Sequence, residues 1–395
     1  MKIPVNTVPG RMVSKLDAKL DFKVIDAQSP YVWCKKKWDY FLVWFKLANF
    51  KPFMKECWFN TIALRYDKTE RRTVNAPGVT IKPQYFGLTE PVEFLWPTVR
   101  NVKSDYFYSL VETLRTFGYR RNVDIFAAPY DWRKATYENK EFIASMDDLI
   151  EKAMNSNHGK PVVIICHSLG CIYTHHYLTK KDKSWKKGFV RAMISIAAPY
   201  GGEFRILYSY LGLDDSLLVK KFPIIRIAER TFSSTALLLP SPSVFRDKVL
   251  ISAPNFNYTA YNYDVFFTAI RNQIAFDMWL DSKDTLEKFE HPGVDVYCIA
   301  GVGVKTMESL DALEEALEKD LKSKVKKLLR IDHGVKYGNG DGFVNALSAA
   351  RCLQWRNNLE HNFIYNEFPL KHLDLVKHQS VIKYIMNVLT NLQHT

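Results

Sequence analysis

The sequence predicts an α/β fold: a doubly wound, mostly parallel sheet with a cap inserted over one edge and a small attached subdomain. Three observations carry this. The stretch PVVIICHSLGC, Pro161–Cys171, passes from an apolar, β-branched run through a tight turn into a segment that can continue as a helix. Strand and helix patterns alternate from Val123 to Ala198, as a parallel sheet with helical crossovers requires. From Glu203 to Glu290 that rhythm gives way to Leu, Ile, Phe and Tyr with breaks at Pro240 and Pro242, which reads as a cap.

The bulk numbers set the bounds. At 395 residues the chain can bury a large core, and 47% hydrophobic with 25% charged residues is ordinary globular composition. No apolar run approaches the ~20 residues that span a bilayer. A net charge of +13 raises nucleic acid, anionic membrane and acidic substrate as partners. No nucleic-acid motif accompanies it, so no nucleic-acid partner is expected. The six cysteines form no C-x-x-C pair, which argues against a zinc or thioredoxin-type site. Cys166 and Cys171 read as small buried free thiols, and the other four leave room for two disulfides. The chain opens MKIPVNTVPG with no secretory-signal pattern, so a start near a mature end, an incomplete gene sequence and a reduced intracellular protein all stay open.

Taken in order, Val5–Val8 is a short strand broken by Pro9–Gly10. Residues Ser29–Asn60 do not belong to the central sheet. Trp33, Trp38, Phe41, Trp44, Phe45, Phe50, Phe53 and Trp58 interleave there with lysines, the mix found where aromatics and cations sit at headgroup level. This segment is expected to contact membrane, the alternative being an aromatic subdomain packed on the core. Asp105–Phe117 and Glu141–Met154 are helices, and Val123–Ala128 is a strand running into APYDWR, where Asp131 and Arg133 can pair. Ala192–Ala198 and Val294–Gly301 are further sheet strands. Ser309–Arg330 reads as an amphipathic helix with Leu310, Leu313, Leu317, Leu321, Val325 and Leu328 on one stripe. NGDGFV, Asn339–Val344, is a glycine-flanked acidic turn. Phe363–Phe368 is the last strand, and His372 opens a terminal helix Leu373–Leu389.

The chemistry follows from the turn at Ser168. Strand, sharp turn with a central serine, then helix is the nucleophile elbow of an α/β-hydrolase, although Cys166 stands where G-x-S-x-G has its first glycine. A serine needs a histidine to take its proton, and that histidine needs a carboxylate to fix its tautomer. The chain order Ser, acid, His selects Ser168, Asp341 and His372. His333, His361 and His378 fit less well by position. The backbone N–H groups of Arg11 and Leu169 are the candidate oxyanion donors. The mechanism needs no metal and no cofactor.

VPG (Val8–Gly10), LDAKLD, NAPG, APYDWR, HSLGC, ISIAAPYGG, VDVYCIAGVG, GDGFVN and HLDLV run nearly end to end through the chain. Together they resemble the lecithin:cholesterol acyltransferase and lysosomal phospholipase A family. The resemblance implies the triad and oxyanion donors just named and disulfides Cys34–Cys57 and Cys298–Cys352. It also implies a membrane-binding subdomain at 29–60 and a cap at 203–290. Hydrolase core is expected at 1–28, 101–202 and 291–395, with a cap contribution at 61–100 and an insert at 309–330. The reaction it implies is acyl transfer from a glycerophospholipid to water or a lipophilic alcohol such as a sterol or ceramide. That reaction belongs at a membrane or lipoprotein surface, in a secreted or lysosomal/endomembrane setting, with a protein activator left open. A neutral-lipid esterase or thioesterase of the same fold, or a non-catalytic lipid binder, are the alternatives.

Overall fold

The computed structural model describes residues 2–22, 34–44, 46–51, 54–96, 100–101, 104–213, 217–311 and 334–394. Six strands build the central sheet: β1 (Val5–Val8), β2 (Ile125–Ala127), β3 (Val162–His167), β4 (Val190–Ile196), β5 (Asp295–Gly301) and β6 (Phe363–Phe368). Their spatial order is β6-β5-β4-β3-β1-β2, and every neighbouring pair is parallel. All six residues of β3 are buried, which is why VVIICH lacks the alternation of a one-sided strand.

The winding reverses between β1 and β3. From β1 the chain goes outward to β2, then returns to lay β3 on the other side of β1. Loops leaving the carboxyl ends of strands at such a reversal diverge and leave a crevice. Val8 pairs with Cys166 in the register, so Pro9–Gly10 and His167–Ser168 leave the sheet side by side. Helix α1 (Lys140–Asn155) precedes β3, α2 (Leu169–Thr179) follows it, α3 (Phe204–Tyr210) follows β4, and α4 (Gln379–His394) closes the chain.

Outside this sheet, Leu16–Asp21 pairs antiparallel with both Lys37–Trp44 and Val79–Pro83. LDAKLD thus belongs to a small separate sheet. The expected helix Ser309–Arg330 is corrected at its start. Ser309–Asp311 ends a strand, Val304–Asp311, that pairs antiparallel with Val335–Gly340, while residues 312–333 lie outside the described residues. The leucine stripe begins at Leu310, a buried strand position where period-two and helical patterns coincide. The terminal helix starts at Gln379 rather than Leu373.

The cysteines are all paired. Cys34–Cys57 ties the entry of the small-sheet strand Lys37–Trp44 to the helix Met54–Ile62, and Cys298–Cys352 ties β5 to the turn Ala350–Asn357. Cys166 and Cys171 are not free thiols as expected but bonded to each other. The sharp turn at Ser168 folds the first turn of α2 back toward the end of β3 and brings their Cα atoms to 4.9 Å, within bridging range.

Candidate active site

Ser168 sits between β3 and α2 with φ 54° and ψ −130°, a conformation nearly reserved for glycine. Its N–H donates to Ile196 O at 2.9 Å, anchoring the turn on β4. The elbow's second glycine is a matter of space. A Cβ at Gly170 would come within 2.6 Å of Val8 O and closer still to Pro9 O. Gly10 is tight in the same way, since a Cβ there would meet the Ser168 Cβ at 3.0 Å and the His167 ring at 3.1 Å. The loop after β1 is thus pressed against Ser168. Neither the Arg11 nor the Leu169 amide meets a protein acceptor among the described residues.

The hairpin Val304–Asp311/Val335–Gly340 delivers Asp341, and the loop after β6 delivers His372. Asp341 Oδ2 lies 2.7 Å from His372 Nδ1, and the His372 N–H donates to Asp341 O at 2.9 Å. Oδ1 accepts from the Phe343 and Val344 amides at 2.9 and 2.7 Å, so the carboxylate is held in one orientation. Burial opposes charging His372, but the charge and hydrogen bond of Asp341, with the charge of Glu203, carry its pKa above the ordinary value. Ser168 and His372 both line a cavity of about 310 Å³. Its wall is largely apolar, with Met12, Leu95, Trp96, Ile206 and Phe343 among its residues. Of the three expected side chains, Ser168 and His372 line this cavity, and Asp341 reaches it only through its contact with His372. Among the described residues no group of three His, Cys, Asp or Glu side chains stands in a metal-binding arrangement.

A model of the lecithin:cholesterol acyltransferase family matches residues 40–291 and 271–383. The human lysosomal phospholipase A and acyltransferase is 34% identical over 98% of this chain and 90% of its own length. The mouse phosphatidylcholine-sterol acyltransferase is 33% identical over 99% of this chain and 86% of its own. The chain belongs to the lecithin:cholesterol acyltransferase family. It is an α/β-hydrolase enzyme of that family. A chain in the crystal structure of the Tle4–Tli4 complex shares the fold alone, at 10% identity and TM-score 0.56, covering 99% of this chain and 98% of that one.

Two residues of this site escape a reading of the sequence. The Tyr106 hydroxyl accepts from the Gly10 N–H at 2.8 Å and lies 2.5 Å from His167 Nδ1, while His167 Nε2 lies 3.2 Å from His372 O. One proton arrangement satisfies all three contacts: Tyr106 donates to Nδ1, and Nε2–H donates to the carbonyl. Burial keeps His167 neutral by holding its pKa well below the usual imidazole value. The chain of bonds ties the loop carrying Arg11 to the backbone of His372. The only sequence signal was the histidine before the nucleophile; Tyr106 comes from a segment 61 positions away.

The aromatic segment divides. Trp44 is 3% exposed, donates its indole N–H to Met12 O at 2.7 Å, packs edge-on against Trp132 and lines the cavity at Ser168. Phe50 is buried against Phe222 and Trp58. As membrane-inserting groups Trp44 and Phe50 are therefore withdrawn, because both rings are already covered by protein. Trp38 and Phe41 stack on each other at 4.4 Å and stay partly exposed. Phe45, like Trp33 and Phe53, lies outside the described residues. Arg133 is fully buried on a bidentate pair with Asp131 at 2.8 and 2.7 Å and also holds Asn75 Oδ1. APYDWR and NAPG meet there as a structural pin.

Proposed function

We propose that this enzyme cleaves an acyl chain from a glycerophospholipid through an acyl-Ser168 intermediate and passes it to water or a lipophilic alcohol. The observation that carries this is the convergence of the Ser168 elbow, the Asp341-held His372 and an apolar cavity on one crevice. His372 takes the Ser168 proton as Oγ attacks the ester carbonyl, and the Arg11 and Leu169 amides receive the oxyanion. His372 then protonates the departing lysophospholipid. In the second half, an incoming hydroxyl gives its proton to His372 and attacks the acyl-enzyme. Each oxyanion donor is worth ~10²–10³ in rate, which is why the placement of the loop at Arg11 matters. The names of the relatives, phospholipase A and acyltransferase and phosphatidylcholine-sterol acyltransferase, support a phospholipid donor and a sterol as one acceptor class.

Three disulfides and relatives named as lysosomal support a secreted or lysosomal/endomembrane setting. No helix among the described residues is long and apolar enough to cross a membrane. Docking on a bilayer or lipoprotein falls to the exposed part of the aromatic segment. The Lys35 ammonium stands 3.8 Å over the Trp38 ring, and Tyr40, Leu47 and Met54 are exposed. The chain between β4 and β5 supplies the cap.

The test is liposome turnover with Ser168→Ala beside wild type. Wild type should release fatty acid from phosphatidylcholine vesicles and take a fluorophosphonate label on Ser168. The variant should do neither while melting at the same temperature. Turnover of a soluble ester without phospholipid cleavage would move the assignment to a neutral esterase.

A further inference from the structure

Among the described residues, Glu203 is a carboxyl that makes no hydrogen bond in the fold or to the Ser168, Asp341 and His372 side chains, although its charge reaches His372. It occupies the N-cap of α3 with φ −134°, yet its side chain makes no capping bond. Asn345 Oδ1 accepts the Phe204 N–H instead, at 3.4 Å, and the Glu203 N–H itself goes to Leu238 O. The residue is 8% exposed and lines the cavity shared by Ser168 and His372. Among the described residues no donor is assigned to its carboxyl oxygens. Its side chain lines the cavity, so an occupant of the cavity is able to donate a hydrogen bond to it. Arg11, a second charged lining residue, is already engaged, with Nη2 on Thr235 Oγ1 at 2.6 Å and 3.6 Å from Glu229.

We propose that Glu203 selects the acyl acceptor by taking a second hydrogen bond from it while the first proton goes to His372. The inference rests on the acyl-Ser168 reading. Water has two O–H groups: one gives its proton to His372 as the oxygen attacks the acyl carbonyl, and the other donates to Glu203. The fatty acid leaves, Ser168 recovers its proton from His372, and Glu203 keeps its own protonation state throughout. A monohydric alcohol has one O–H and leaves Glu203 unpaired. An alcohol with a neighbouring hydroxyl or amide N–H serves both groups. The charges facing Glu203 are those of His372, Asp341, Arg11 and Arg205, and burial raises its pKa. Ionised or protonated, it offers an oxygen lone pair, so the selection does not depend on one charge state. The acceptors of this enzyme are therefore water and vicinal or amide-bearing alcohols in preference to alcohols with a lone hydroxyl.

The experiment uses phosphatidylcholine vesicles with 1-dodecanol or 1,2-dodecanediol at equal mole fraction, and reads acyl ester against free fatty acid. In wild type the diol should exceed the mono-ol as acceptor by about tenfold, well beyond the twofold a second hydroxyl gives by number alone. Glu203→Val should abolish that preference and raise transfer to the mono-ol relative to hydrolysis. Glu203→Gln, which keeps an acceptor oxygen, should retain part of it. Equal partition between the two alcohols in wild type, or an unchanged ratio in a Glu203→Val enzyme that still takes the fluorophosphonate label, overturns the inference. Absence of that label from wild-type Ser168 overturns the acyl-enzyme reading instead.

Discussion

The two walls of the cavity at Ser168 are built on different principles. On the sheet side, position is set by backbone. β1 and β3 run in parallel register, Ser168 hangs from Ile196 O, and Gly10 and Gly170 allow two chain segments to touch. On the facing side, position is set by side chains. Trp44 reaches Met12 O, Lys15 gathers the carbonyls of Phe94 and Leu95 at 2.7 and 2.6 Å, and Arg11 leans on Thr235. Ser168 thus sits where backbone contacts fix its position. What the cavity accepts is left to a wall that single substitutions can reshape.

The substitutions that probe this contrast differ in size. Trp44→Ala removes a ring that packs on the core and lines the cavity, a change costing about 3–5 kcal/mol of stability. It should lower the melting temperature and slow a soluble ester and liposomes alike. Trp38→Ala with Phe41→Ala should slow liposomes alone. A loss confined to liposomes in Trp44→Ala would return that residue to the membrane surface.

Gly170→Ala attacks the backbone wall. Its Cβ overlaps two carbonyl oxygens that cannot swing away, so the loop after β1 must shift relative to Ser168. A displacement near 1 Å costs about 10²-fold in kcat. A near-normal kcat on a soluble ester would show that the close approach is dispensable.

Tyr106→Phe is the sharper and smaller probe, because it removes one hydroxyl and leaves the ring. The Gly10 N–H and His167 Nδ1 each lose a partner, a penalty of about 1–3 kcal/mol. If the hydroxyl positions the oxyanion loop and the base, the loss appears in kcat with KM little changed. A fall in melting temperature with normal kcat would assign it a structural role only.

The smallest expected effect is a shift in pH dependence. His372 must be neutral to accept the Ser168 proton, and its pKa is raised by Asp341 and Glu203. Activity should therefore fall as pH drops through a value above that of a free imidazole. Glu203→Gln removes one of the two negative charges, lowers the His372 pKa and moves this acid limb to lower pH. A limb that stays put would mean that Glu203 does not reach His372 electrostatically.

Much of the backbone wall is legible in the chain itself. Val5–Val8 and Phe363–Phe368 appear at the bounds expected from their patterns, and the order serine, acid, histidine selects one residue of each type. These are local signals: β-branched runs, a tight turn around a serine, glycines flanking an acid. The facing wall is not legible in the same way. Trp44 carries the composition of a membrane-interface segment, and nothing within that segment says that Met12 and Trp132 will cover it. The hairpin that presents Asp341 has strands separated by 23 residues, and its first strand merges with a leucine pattern that also suits a helix.

By itself, then, the sequence determined the parallel sheet and the strand, turn and helix around Ser168, and it singled out Ser168, Asp341 and His372 as candidates. Periodicity and turn chemistry act over a few residues and survive in any context. Only the tertiary structure decided the Tyr106–His167 link, the burial of Trp44 and the exposure of the Glu203 carboxyl to the cavity. Each depends on which distant surface arrives at a given side chain. That is fixed by packing the whole molecule against the cost of leaving a polar group unpaired or an aromatic ring in water.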